Sequence, residues 1–240
     1  MDWTRPPMMR RVAAAVSLGI AAAFMGIPVA AAEVSCADLG GVGEAEQLCR
    51  LQTTTERYRL NLVFPTDYAD QDALTDYVVQ NRDGFVSVAQ MPGPRAVPYE
   101  MDGSAERYRS GQPPGGTESV VLKIYQDVGG PHPATWYKTF TYDLNRHRPI
   151  TFDTLFGPDT PSSDVLEKVF PLVQRDLERQ LGWRAAVLPG TGTDPAHYQN
   201  FAITDDEVIF FFAPGELLPL ASGATSARVA RSAIPPLALG

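Results

Sequence analysis

Two alternating ribbons separated by a glycine- and proline-rich bend constrain this chain more than anything else in it. From Thr117 to Gln126, Val120, Leu122 and Ile124 fall on one side and Val121, Lys123 and Tyr125 on the other, the two-residue period of a β-strand. Gly129-Gly130-Pro131-His132-Pro133 then combines two residues that tolerate positive φ with two that fix φ at a value suited to a loop. From Ala134 to Leu144, Trp136, Phe140, Tyr142 and Leu144 recur on one side, and Thr135, Tyr137, Thr139 and Thr141 on the other. A second turn at Asn145 to Pro149 leads into the apolar run Ile150 to Phe156, expected as a third extended segment. The pattern predicts a hairpin at the centre of a sheet.

The flanking sequence supplies more strands and two helices. Thr55 to Phe64 alternates, with Tyr58, Leu60, Leu62 and Phe64 to one side, and Pro65 ends it. Asp67, Asp70 and Asp72 precede a helical pattern through Leu74, Tyr77, Val78, Phe85 and Val88, where acids suit the helix dipole and the cap. Calcium is the alternative for those aspartates, but the glycine and closing glutamate of a calcium loop are missing. Val97 to Asp102 and Ala105 to Arg109 read as two weaker extended pieces. The connector Ser110 to Gly116 is where an amino-terminal lobe (33–113) and a carboxyl-terminal lobe (117–240), sharing one core, would part. Leu166, Phe170, Val173, Leu177 and Leu181 predict a helix over 164–181, capped by Ser162 or Ser163, kinked or split at Pro171 and stopped at Gly182. Val208 to Phe212 is apolar throughout, as a strand covered on both faces would be, with Asp205-Asp206 at a hairpin tip. Ala227 to Ile234 reads as a last edge strand.

Residues Met1 to Ala32 carry arginines, an apolar run from Val12 to Ile27 and small residues before Glu33, the three-part pattern of a secretory signal peptide. Arg10-Arg11 raises the twin-arginine route, but the general route is favoured, and the apolar run, short and interrupted by Ser17, Gly19 and Gly26, favours a removed signal over the alternative of a retained membrane anchor. The protein is therefore expected outside the cell or in the cell wall. Its formal net charge of −8, with no cluster of lysine or arginine, argues against nucleic acid and anionic membrane as partners. In an exported chain, two cysteines, Cys36 and Cys49, favour one disulfide closing a short loop over a metal pair or a redox site.

Chemistry is harder to find. The histidines lack the spacing of a helical metal site, no Gly-x-Ser-x-Gly elbow is present, and Gly129-Gly130 lies between strands rather than before a helix. No cofactor or metal is expected. Ester hydrolysis would need a nucleophile, a base and an orienting acid. His197 beside Asp194, or His132 in the turn, are the candidate bases, and Ser110 the candidate nucleophile among otherwise ordinary serines such as Ser104 and Ser119. The alternative is that His132 hydrogen-bonds its own turn and His197 packs at a loop end.

The block Val120 to Gln126, the turn Gly129 to Pro133, the run Ile150 to Phe156, Asn200 to Asp206, Ile209 to Phe212 and Pro214 to Pro219 together resemble the mycobacterial secreted immunogenic protein family. The likeness runs through the paired cysteines to Arg231-Ser232-Ala233-Ile234. From Thr117 to Ile234, the Gly-Gly-x-His-Pro turn and the Ile-Thr-Phe-Asp-Thr-Leu-Phe segment also resemble the extracellular domain of RsiV-type anti-sigma factors, receptors for lysozyme. The resemblance implies an α+β fold, an antiparallel or mixed sheet with helices packed on one side and β-grasp-like. It also implies secretion and membership of a group known as antigens and virulence-associated proteins; the signalling role of an anti-sigma factor is not carried over. Two functions of different kind follow as expectations. One is a monomeric extracellular factor whose exposed sheet face or edge binds a host or cell-envelope protein. The other is a short-chain carboxylesterase.

Overall fold

The computed structural model describes residues 35–93, 97–158 and 160–240; the signal-peptide pattern lies outside them. Glu33–Gly240 make one compact unit of α+β architecture, built on a mixed seven-stranded sheet and a three-stranded one. The large sheet runs in chain order through β1 (Val42–Glu44), β2 (Leu48–Thr54), β3 (Tyr58–Pro65), β4 (Tyr99–Ser110), β5 (Thr117–Asp127), β6 (Ala134–Asp143) and β7 (Arg148–Pro149). Every neighbour pair is antiparallel except β3 and β4, which are parallel because the crossover helix α1 (Gln71–Gln90) joins them. The expected central hairpin is β5–β6, in register from Thr117↔Asp143 to Gln126↔Ala134.

Alternation along the strands decides what each face meets. Leu60, Leu62, Phe64, Met101, Val120, Leu122 and Ile124 turn to α1 and enclose Leu74, Val78 and Phe85 in one core. Trp136, Phe140 and Tyr142 flank that core, and the Trp136 indole donates to the Tyr77 hydroxyl at 2.8 Å. The opposite face receives the small sheet, formed by β8 (Phe201–Ile203), β9 (Glu207–Phe212) and β10 (Thr225–Ala230) with β9 in the middle. Phe210 and Phe212 face away from the large sheet, into a second core under the helix α3 (Ser162–Leu181). Each sheet thus carries its helix on one side.

Several local expectations differ from what forms. The two weak pieces around residue 103 are one strand, β4, because Gly103 does not break it. A Cβ there would lie 2.6 Å from Leu62 Cδ2, so glycine serves close strand packing. The connector Ser110 to Gly116 is the turn of the β4–β5 hairpin, whose strands pair from Glu100↔Asp127 to Ser110↔Thr117. Gly116, at φ +86°, passes so near the Ser110 carbonyl that a side chain has no room. The third extended segment is absent: after β7, residues Phe152–Leu155 form a single helical turn, α2, with Thr151 and Thr154 capping each other. Phe152, Leu155 and Phe156 are buried at helical spacing, which outweighs their β propensity.

The helix ends also depart from expectation. Asp70 makes no side-chain cap; Gln71 instead accepts from Tyr68 N at 3.0 Å and donates to the Pro65 carbonyl at 3.1 Å. Asp67 pairs with Arg107 across 2.5 Å. At α3 the cap position is Pro161, and the Ser162 hydroxyl donates to Asp153. Helix α3 continues through Pro171, which is exposed, as is Glu167, whose carbonyl loses its helical donor to the proline and can turn to water instead. The last strand stops at Ala230, and Arg231 begins a 3-10 turn.

Cys36 and Cys49 form the expected disulfide, 13 residues apart in sequence with Cα atoms 5.5 Å apart. Closing a loop of that length restricts the unfolded chain by about 3 kcal/mol. Cys36→Ser with Cys49→Ser should lower the unfolding free energy by about that amount, read as a fall in the urea midpoint at unchanged slope. An unaltered midpoint would show that the bridge constrains nothing.

Candidate functional site

Three places could carry chemistry or binding. The first is the histidine region. Asp194 caps a short 3-10 turn, Pro195–Tyr198, with Oδ1 accepting from Ala196 N at 2.9 Å. That turn holds His197 between two carboxylates: Nε2 lies 4.0 Å from Asp194 Oδ2 and Nδ1 lies 3.8 Å from Glu216 Oε1. The structure therefore brings together the expected His197 and Asp194 and adds Glu216, 19 residues further along the chain, which no local spacing marks as a partner of His197. Burial raises the Glu216 carboxyl above its ordinary range, against the opposing pull of Ala213 N, which donates to Oε2 at 2.7 Å, and of His197.

The proposed nucleophile is elsewhere in the fold. Ser110 is buried, and its hydroxyl accepts from Arg231 Nη1 at 2.9 Å. The same guanidinium nitrogen donates to the carbonyls of Thr204 and Asp205, while Gly111 N donates to Asp205 Oδ1 at 2.7 Å. Ser110 is thus part of a clasp between the β4–β5 turn and the β8–β9 turn. Ser119 is equally occupied, meeting the Thr141 hydroxyl at 3.1 Å and accepting from Ile203 N at 3.3 Å. His132 is exposed in the β5–β6 turn. Among the described residues no hydrogen bond joins a hydroxyl to a histidine nitrogen, so the histidine region is a base and acids without an attached nucleophile. No group of three His, Cys, Asp or Glu among the described residues is placed to hold a metal ion.

A sign follows for Glu216. A carboxyl whose folded value is raised binds its proton more tightly in the native state, so native stability falls as pH rises from the unfolded value through the folded one. Glu216→Gln should flatten this acid-range decline and leave the variant relatively more stable at neutral pH. Unfolding curves between acid and neutral pH with the same slope for both proteins would remove the assignment.

The second place is the flank of β6. Residues 135, 137, 139 and 141 direct their main-chain groups away from β5: Thr139 N donates to Asn200 Oδ1 at 3.1 Å, and Thr141 O accepts from Ile150 N at 2.7 Å. Strand β7 pairs only with Tyr142 and Asp143 before the chain leaves for α2. Thr135 and Tyr137 therefore present N–H and C=O groups that no other described residue meets. Away from Thr139 and β7, the flank is not blunted. No proline or bulge interrupts β6, and its single lysine, Lys138, lies over the Tyr77 and Phe140 rings at 5.9 and 5.3 Å. Where β7 stops, a cleft of about 290 Å³ opens, lined by Lys138 to Thr141, by Tyr68, Asp70 and Ala73, by Pro149 to Thr151, and by Gln199 and Asn200. The third place, a wedge between the two sheets, is taken up below.

Among the described residues, then, an α+β domain presents a histidine between two carboxylates, the outer flank of β6 and a cleft beside it as its candidate functional features. The chain belongs to the mycobacterial MPT64 and MPB64 immunogenic protein family. It is 46% identical over 209 residues to immunogenic protein MPT64 of Mycobacterium tuberculosis and, equally, to MPB64 of Mycobacterium bovis, covering 87% of this chain and 90% of each relative. It is also 56% identical over 225 residues to a Mycobacterium tuberculosis protein named esterase Rv3036c, covering 94% of this chain and 98% of that one. Residues 153–232 match the family described as protein of unknown function, DUF3298. A crystal structure of a DUF3298 member from Bacteroides fragilis superposes with a TM-score of 0.50 at 14% identity, over 78% of this chain and 91% of that one, a likeness of fold alone.

Proposed function

We propose that this protein is exported and acts outside the cell by binding an extended segment of a host or cell-envelope protein along the free flank of β6. The observation that carries this reading is the pair of outward-facing residues Thr135 and Tyr137, whose main-chain groups no other described residue meets, on the same flank that Asn200 meets at Thr139 and β7 occupies at Tyr142 and Asp143. Such a pair is complementary to another strand and to little else, since its donors and acceptors alternate at the repeat of an extended peptide. The cleft at the end of β7 would take a side chain of the added strand. Export rests on the three-part pattern of residues Met1 to Ala32 and agrees with kinship to immunogenic proteins.

Selection from a displayed library of random peptides, followed by hydrogen exchange, tests the proposal. Selected peptides should bind saturably and slow exchange of the Thr135 and Tyr137 amides. Thr135→Pro removes one outward N–H without touching the β5 ladder and should weaken binding about tenfold or more. Binding that leaves those amides unprotected, or that Thr135→Pro does not alter, would sink it.

Ester hydrolysis is the second reading, favoured by the name of the 56% identical relative and by the acid-flanked His197. It requires a hydroxyl to approach the imidazole when substrate binds. Turnover of a small chromogenic ester, abolished by His197→Ala, would support it. No turnover, or turnover indifferent to that substitution, would remove His197 from any such role.

A further inference from the structure

The face of the large sheet turned away from α1 carries Ser104, Glu106 and Tyr108 on β4, Lys123 on β5 and Tyr137 on β6, in cross-strand rows set by the registers Ser104↔Lys123 and Lys123↔Tyr137. The small sheet lies over this face but meets it unevenly. Near β8 the two sheets are joined by hydrogen bonds: Ile203 N to Ser119, and the Thr141 hydroxyl to the Phe201 carbonyl at 2.9 Å. Further out, among the described residues, the buried apolar cluster between them is Val121, Ala202, Ile209 and Phe211. Three of those four, Val121, Ile209 and Phe211, also line a cleft of about 170 Å³ that opens between the sheets. Facing sheets ordinarily fill the space between them with interdigitated apolar side chains. Here the lining includes two serines, a carboxylate, an ammonium and a guanidinium, which apolar packing does not explain.

We propose that this wedge, centred on Tyr137, Phe211 and Glu106, is a binding site for a single saccharide ring. Three aromatic rings form its inner wall, Tyr137 and Tyr108 standing 5.3 and 6.1 Å from Phe211 at tilts of 47° and 54°. The half-buried rings of Tyr108 and Tyr137 each offer an apolar face to the C–H face of a sugar. The Tyr108 hydroxyl donates to Glu106 Oε2 at 2.5 Å, which orients the carboxylate and leaves Oε1 to accept. Burial and the neighbouring Glu106 keep that hydroxyl protonated, so its bond to the carboxylate holds and its oxygen can accept. Lys123 Nζ, 5.9 Å from the Tyr137 ring centre, and the Arg228 guanidinium, which spends one bond on Glu207, supply donors. Glu106 opposes an anion, Lys123 and Arg228 oppose a cation, and an acyl chain would leave all of these groups unmet. Neutral hydroxyls around one ring satisfy both signs, and the volume suits a ring rather than a chain.

Saturation-transfer NMR on the whole chain with D-glucose, D-mannose, D-galactose and N-acetyl-D-glucosamine tests this. A ligand so small is expected to bind with Kd on the order of 1 mM. At least one sugar should give a saturable signal, weakened about tenfold or more by Glu106→Gln and by Lys123→Met and unchanged by Glu167→Gln on α3. Both wedge residues are exposed, so the variants should keep their fold, which unfolding midpoints check. No saturable signal from any of the four, or equal binding by both wedge variants, overturns the proposal.

Discussion

Phe210→Ala should lower the unfolding free energy by about 3–5 kcal/mol, the range for removing a fully enclosed aromatic ring. Phe210 is 0% exposed, at the middle of the central strand of the small sheet. Its ring centre lies 5.3 Å from that of Tyr198, 6.2 Å from Phe152 and 6.4 Å from Phe201, three rings contributed by a 3-10 turn, by α2 and by β8. A ring so placed cannot be replaced by local settling, because each neighbour is itself fixed by a different element. Chemical denaturation measures the loss, and a cost below about 1 kcal/mol would mean that the α3 layer is not a close-packed core.

Arg107→Met carries the second large effect. Glu118 on β5 has a side chain only 3% exposed, held by Arg107 at 2.6 Å and Arg109 at 3.0 Å. Arg107 also reaches Asp67 at 2.5 Å, so one guanidinium neutralises two carboxylates and ties the β4–β5 hairpin to the segment before α1. Removing one partner of a buried pair strands the other charge, at a cost of about 3–5 kcal/mol. The lower end applies here, since Arg109 stays, although its side chain is 53% exposed and screened by water. Adding Glu118→Gln removes the stranded charge and should recover more than half of the loss. If the double variant is no more stable than the single one, packing rather than charge explains the effect.

The same two regions show how far local pattern reaches. The β5–β6 hairpin, the faces of its strands, the helices α1 and α3 and the buried run at Phe210 were all legible, because a period of two or of about four residues is written in neighbouring side chains. The errors came where a local rule met a distant partner. Gly103 looked like a break until Leu62 on the neighbouring strand explained its missing side chain. Ile150 to Phe156 looked extended until burial of Phe152 and Leu155 under the small sheet favoured a turn of helix. Asp67 and Ser162 looked like helix caps, and both are taken by partners off the helix they precede or begin.

The candidate sites divide in the same way. Asp194 and His197 are three residues apart, so a short turn brings them together, and the sequence could suggest the pair. Glu216 reaches the same imidazole only because β9 and the loop after it fold back onto the Pro195–Tyr198 turn. Ser110 could be named as a nucleophile from its residue type alone, yet the chain commits its hydroxyl to Arg231, 121 residues away. By itself, then, the amino-acid order determined the strands and helices, the faces they would bury and the pairing of its two cysteines, all short-range consequences of side-chain spacing and chain closure. Tertiary structure alone decided that the sheet divides in two, that β7 ends early enough to leave the flank of β6 open, and that a polar wedge persists between the layers. Those features depend on which distant surfaces meet, and no local period encodes that.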